Sequence, residues 1–171
     1  MIFTKSFRSV VYTENETNAE YFCYDVNLIK TQIMKYYISK KIDATFEQAI
    51  DRVKESLGIE GFGVLSEINI QEKLKEKLDV DFRRYIILGA CNPAYAYKAL
   101  QSEDKIGTML PCNVIIQDLG KNVIEVSAID PVASMMSIEN PKLAKLAGEI
   151  KIKLERVIES LHTGVESFGL V

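Results

Sequence analysis

From Lys35 onward the apolar positions fall into short runs of two different periods, and each change of period marks an element. Lys35 to Ile42 is rich in β-branched and aromatic residues and reads as a strand. Thr45-Phe46-Glu47-Gln48 then has the form of a capping box, with the threonine hydroxyl placed to accept a backbone N–H and Gln48 placed to reach back. Phe46, Ala49, Ile50, Val53 and Leu57 recur at helical spacing, so a core-facing amphipathic helix is expected, stopped by Gly58. Gly61 to Ile70 reads as a second strand, with glycines where the backbone bends or is closely approached. Asn69, three residues before Glu72, caps a short helix expected to turn Leu74 and Leu78 inward. Tyr85 to Ala90 is apolar without a break, which points to a third strand in a central position covered on both faces.

Asn92-Pro93 pairs a favoured N-cap with a favoured first helical residue, and Ala94, Tyr97 and Leu100, with Ala96, are expected to form that helix's buried side. Ser102 to Pro111 is a connection of about ten residues, against a usual median of roughly 4–6, long enough to cover a pocket. Cys112 to Leu119 and Val123 to Ile129 are two strands joined by Gly120-Lys121-Asn122, a hairpin turn by its glycine and asparagine chemistry. Asp130-Pro131 ends the second of them. Asn140-Pro141 repeats the cap-plus-proline device and opens the longest helix, which runs to about His162 with an apolar stripe through Leu143, Leu146, Ala147, Ile150, Leu154, Val157, Ile158 and Leu161. From Met34 the order is β-α-β-α-β-α-β-β-α. That order, with one clear hairpin, predicts an α+β fold: a single mixed, largely antiparallel sheet of about five strands packed against helices.

Residues 1–33 stand apart, because Asn15, Glu16, Thr17 and Asn18 interrupt two short strand-like runs, Ser9 to Tyr12 and Tyr21 to Val26. They are read as a loosely attached N-terminal extension, residues 34–162 as one domain, and residues 163–171 as a tail. A chain of 171 residues is long enough to bury a core without metals or disulfides. The formal charge of -3 and pI near 5.3 speak against nucleic acid as a partner, which calls for a basic face. No apolar stretch reaches the roughly 20 residues that cross a bilayer, and the start lacks the features of a signal peptide. Three cysteines, an odd number, suit a reducing compartment, and a cytoplasmic location is the expectation.

The candidate chemistry is narrow. His162 is the only histidine, which disfavours a histidine-based zinc site, a Ser-His-Asp triad and a Cys-His dyad. Gly61-Phe62-Gly63 lacks the third glycine of a dinucleotide fingerprint, and there is no Walker lysine pattern; no metal and no cofactor is expected. What remains is two Cys-Asn junctions, Cys91-Asn92 and Cys112-Asn113. Cys91 precedes a predicted helix N-terminus, where amide protons and the macrodipole favour a thiolate. Against this, a free cysteine is a common small core residue, and Asn92 is fully explained as a helix cap. If the two Cα atoms fall within about 7 Å, a redox pair is geometrically open. Glu67, on an otherwise apolar strand, and Asp130, at a strand end, are weaker acidic candidates, with a solvent-facing position and a turn aspartate as the plain alternatives. Tyr95 and Tyr97 are placed to flank a ligand, although Tyr97 reads more simply as core; Met109, Met135 and Met136 read first as gap-fillers and second as soft ligands.

The phrases Gly61-Phe62-Gly63-Val64-Leu65-Ser66-Glu67-Ile68, Ile87-Leu88-Gly89-Ala90-Cys91-Asn92-Pro93 and Leu110-Pro111-Cys112-Asn113-Val114, in this order and spacing, resemble the domain-of-unknown-function family 302 over about Met34 to Leu161. The resemblance implies a small α+β domain that commonly forms dimers. It suggests Glu67, Cys91, Asn92, Cys112 and Asn113 for a shared pocket and brings no catalytic role to any residue. Three readings follow. The first is a homodimeric module binding a small ligand or a partner near the two Cys-Asn junctions, with Asp130 added to the candidate lining. The second is a thiol-dependent redox or sulfur-handling enzyme using Cys91 and Cys112, and the third an interaction scaffold with no pocket.

Overall fold

The computed structural model describes residues 35–162, and the expectations for residues 1–33 and for the tail at 163–171 lie outside the described residues. Five strands form one sheet: β1 (Tyr37–Asp43), β2 (Gly63–Asn69), β3 (Tyr85–Cys91), β4 (Cys112–Asp118) and β5 (Val123–Ile129). Their order is β1-β5-β4-β3-β2, and every neighbouring pair is antiparallel, so the sheet is antiparallel throughout and the α+β class holds. The helices are α1 (Phe46–Ile59), α2 (Ile70–Leu78), α3 (Pro93–Ser102), a 3-10 turn (Asp104–Met109), α4 (Pro131–Ser134) and α5 (Pro141–Ser160).

The helix starts follow the local chemistry. Thr45 and Gln48 close the capping box at α1, and the side chains of Asn69, Asn92 and Asn140 each accept a backbone N–H at the first turns of α2, α3 and α5. In the β4–β5 turn Lys121 and Asn122 both have positive φ, the geometry that a tight hairpin of right-handed twist demands. α1 runs one residue past Gly58, and the left-handed position falls instead on Gly61, with φ +82°. The expected long connection after α3 is not bare loop; most of it is the 3-10 turn, whose Ile106 is buried.

Alternation along the strands gives the sheet an inward and an outward face. Ile42, Leu88, Val114, Ile116, Val126 and Ala128 point inward and meet Val53 and Leu57 of α1 and Leu154 and Val157 of α5 in one buried cluster. Leu57, Leu88 and Leu154 are fully buried, and each such side chain contributes about 1.5–3 kcal/mol by leaving water. A second, smaller cluster of Ala99, Ile106 and Leu143, with Met109, Met135 and Leu146 packed on it, ties α3 and the 3-10 turn to α5.

Three local expectations are corrected. α2 buries no residue and Leu78 is largely exposed, because the helix flanks the sheet instead of entering the core. In α3 the buried residue is Ala99, while Tyr97 and Leu100 face outward; a short helix lying close against α5 has room there only for small side chains. β3 has a neighbour on each side, but the middle strand is β4, and Ile87 of β3 is only half-buried on the outward face.

Candidate functional site

Where β3 and β4 reach the same end of the sheet, their inward faces do not close completely against the helices. A half-enclosed cavity of about 40 Å³ remains, bounded by Ala90, Cys91 and Asn92 at the end of β3, Cys112 at the start of β4, and side chains of α3, α4 and α5. At roughly 10–15 Å³ per water centre, it has room for about three waters. Its walls are mostly apolar and include Tyr95, Met135 and Ile150, with Cys91, Asn92 and Cys112 at the strand ends.

Local structure explains why the walls meet there. Asn92 ends β3 and starts α3: its Oδ1 accepts the N–H of Tyr95, which sets Tyr95 and Ala96 one turn into the helix, over the cavity. The same side chain lies against Gly61, where a Cβ would sit 3.1 Å from the Asn92 Nδ2, and φ +82° adds a second reason for glycine at that position. On the other side of the sheet, Pro111, which follows a cis peptide bond, packs over Gly89. A Cβ at Gly89 would run into Ser66 and come within 2.7 Å of the Pro111 ring, so close approach excludes any larger residue. Leu110, just before that proline, completes the wall.

The cysteines are neighbours but not opposite each other. The register pairs Cys112 with Ala90 and Cys91 with Gly63, which leaves the two cysteines diagonal, one residue out of step. Directly opposed Cα atoms are about 4.5–5.5 Å apart, so a diagonal pair is still within reach of a disulfide's usual Cα spacing. Their Cβ atoms leave opposite faces of the sheet, however, and bonds that diverge in this way cannot be bridged without backbone movement. Both thiols are free. Burial pushes the Cys91 thiol above its ordinary range, and burial, together with the adjacent Cys91, pushes Cys112 up to about 11.

Of the six residues singled out from the sequence, Cys91, Asn92 and Cys112 share the cavity. The other three lie elsewhere. Glu67 pairs with Lys54 of α1 at 2.6 Å, at the edge between that helix and β2. Asn113 is exposed on the outward face, opposite to Cys112. Asp130 is 6% exposed and already engaged: one oxygen accepts the N–H groups of Val132 and Ala133 at the start of α4, and the other takes Lys151 at 2.7 Å. It positions Pro131, which does line the cavity. The α5 wall was visible in the sequence as an apolar stripe; nothing in a stripe reveals that part of it faces empty space.

At the cavity mouth Tyr95 is polarised by its surroundings. A hydrogen bond to the Glu149 carboxylate holds its hydroxyl above the usual tyrosine range, and the Lys98 ammonium sits 5.5 Å from its ring centre. Nearby, Glu60 takes a bidentate hydrogen bond from Arg156, at 2.8 and 2.7 Å, and a further one from Lys153, which lowers its carboxyl to about 2. This cluster fastens the end of α1 to α5. Among the described residues no group of three or more histidine, cysteine, aspartate or glutamate side chains is placed to hold a metal ion, and no helix is long and apolar enough to cross a membrane.

Comparison with known proteins adds the following. The family model described as "Domain of unknown function DUF302" matches residues 38–161. The chain is similar to a solved structure from Bacillus stearothermophilus, described as an uncharacterized conserved protein DUF302. The two share 28% sequence identity over 72% of this chain and 96% of the other, with a TM-score of 0.67. A search of curated proteins found no match.

Proposed function

The chain belongs to the DUF302 family, and from that premise we propose that it is a homodimeric binding module that takes the apolar end of a small ligand into the cavity beside Cys91, Asn92 and Cys112. The observation that carries this reading is the cavity itself. Interiors are otherwise packed to crystal-like density, and a space left open between a sheet end and three helices, lined by apolar groups with an asparagine at hand, has on a small scale the lining of a small-molecule site. Burial favours an apolar group there. Asn92 offers the polar anchor, since its amide keeps hydrogen-bonding capacity beyond the single bond it accepts as a cap.

The thiol chemistry is better suited to contact than to reaction. A nucleophilic cysteine needs a lowered pKa, and both thiols are shifted the other way. A reducing interior such as the cytoplasm fits two free thiols.

The test is native mass spectrometry of the full chain purified from its own host, compared with an Ala96→Leu variant whose added carbons enter the cavity. A small non-covalent adduct on the wild-type chain that is lost in the variant is the expected result. An identical spectrum for the two, with no adduct at either, contradicts the ligand reading and leaves a scaffold.

A further inference from the structure

Two sulfur-bearing side chains border the cavity from opposite walls. Cys112 enters from the start of β4, where it opposes Ala90 and shares that residue's inward face. It is 8% exposed, its thiol is free, and no hydrogen bond reaches that thiol among the described residues. Met135 closes α4, a four-residue helix that Asp130 pins in place by accepting the N–H groups of Val132 and Ala133 and by pairing with Lys151 of α5. Both residues line the same space of about 40 Å³. Methionine in a core ordinarily fills irregular gaps, and Met135 borders one that stays open.

We propose that this pair is a binding site for a soft monovalent metal ion, Cu(I), held between the Cys112 thiolate and the Met135 thioether. The site goes beyond the ligand reading above: it shares the cavity and depends on none of the ligand's chemistry. Three observations support it. The first is the donor type. Thiolate and thioether sulfurs select Cu(I), whereas magnesium, calcium and manganese take carboxylate, carbonyl and water oxygens. Asp130, the carboxylate that anchors α4, is already engaged by Lys151 and two backbone N–H groups. Structural zinc takes four donors, more than one thiol and one thioether supply. A two-sulfur site needs no cluster of histidines and carboxylates, and none is present among the described residues.

The second is charge. As the copper–sulfur bond forms, the Cys112 S–H bond breaks and its proton leaves to solvent; no electron is transferred. The single positive charge of the ion and the single negative charge of the thiolate cancel, so the apolar walls formed by Leu143, Ala147 and Ile150 enclose a neutral unit. A divalent ion on the same pair would leave an uncompensated charge in hydrocarbon. The third is reach. The Met135 sulfur lies at the end of a flexible, unbranched side chain that can close on an ion already bound to Cys112. Cys91 also borders the cavity, but its Cβ leaves the opposite face of the sheet, so it stays outside the pair.

The experiment loads the full-length chain anaerobically with Cu(I), supplied as its acetonitrile complex, and desalts it. Copper per chain, competition with bicinchoninate and the copper X-ray absorption spectrum are then measured, with circular dichroism to check the fold of each variant. The expected result is one copper per wild-type chain, ligated by sulfur alone, and the same copper in Cys91→Ser and in Cys23→Ser, which removes the cysteine outside the described residues. Met135→Leu, which conserves volume and apolarity, is expected to weaken binding at least about tenfold, and Cys112→Ser to retain no copper. If Cys112→Ser loses its fold, Met135→Leu decides alone. Wild-type affinity in Met135→Leu, loss of copper in Cys91→Ser or Cys23→Ser, nitrogen or oxygen ligation, or no copper on the wild type each overturns the site. None of these outcomes bears on the organic ligand, whose adduct is read by mass with no copper added.

Discussion

Cys112 provides the sharpest check on the chemistry assigned to the cavity. Its thiol is 8% exposed and pushed to about 11 from an ordinary value of 9.0, first by burial and then by Cys91. Two units lower the thiolate fraction near neutral pH about a hundredfold, and because the thiolate is the nucleophile, alkylation slows by the same factor before access is considered. Peptide-resolved mass spectrometry after timed iodoacetamide treatment, native against denatured, measures this directly. Cys112 is expected to react at least about a hundredfold more slowly in the native chain. Cys91, half-exposed and raised by burial alone, is expected to fall between Cys112 and a denatured thiol. A native Cys112 that reacts within tenfold of the denatured rate refutes the burial argument. A native Cys91 faster than a denatured thiol restores the activated-thiolate reading.

Other outcomes follow from the same geometry. Asp130→Ala removes two backbone caps and the Lys151 pair from a buried position and should destabilise the fold by about 2 kcal/mol in urea titration, with any adduct at the cavity retained. Gly89→Ala drives a methyl group into Ser66 and Pro111 and should cost about 1–3 kcal/mol by the same assay. The Glu60 carboxyl is depressed to about 2 in the folded chain. The stability it contributes is therefore complete above its ordinary pKa of 4.5 and is lost as pH falls from there through 2. Arg156 is half-exposed, so screening limits the effect: Glu60→Gln should cost about 1 kcal/mol near neutral pH, and the gap between variant and wild type should shrink on acidification below 4.5. A gap that widens there contradicts the assignment.

How far the sequence reaches can be traced through particular residues. The caps at Thr45, Asn69, Asn92 and Asn140 and the turn at Lys121 and Asn122 were readable because each depends on a few adjacent residues whose side chains or φ values act locally. The strand and helix order followed from period, and with it the α+β class. Tyr97 and Leu78 were misplaced for one shared reason. A large apolar side chain on a short helix is evidence of burial only if another element lies above it, and that depends on tertiary packing. The relation of Cys91 to Cys112 was out of reach as well. It turns on a register set some twenty residues apart, and one step of slip exchanges the face of every side chain. The cavity lay beyond the sequence for a similar reason. Leu143, Ala147 and Ile150 form an ordinary stripe, and only the packed geometry reveals the space they leave.

The most direct test of the account is a crystal of the full chain under xenon pressure, since xenon enters dry apolar cavities and finds little purchase on closely packed interiors. An ordered xenon bounded by Cys112, Met135 and Ile150, absent from an Ala96→Leu crystal, is the predicted result. Wild-type density in which these side chains have closed on one another, with no xenon between them, would contradict the claim that this end of the sheet is built to receive a ligand.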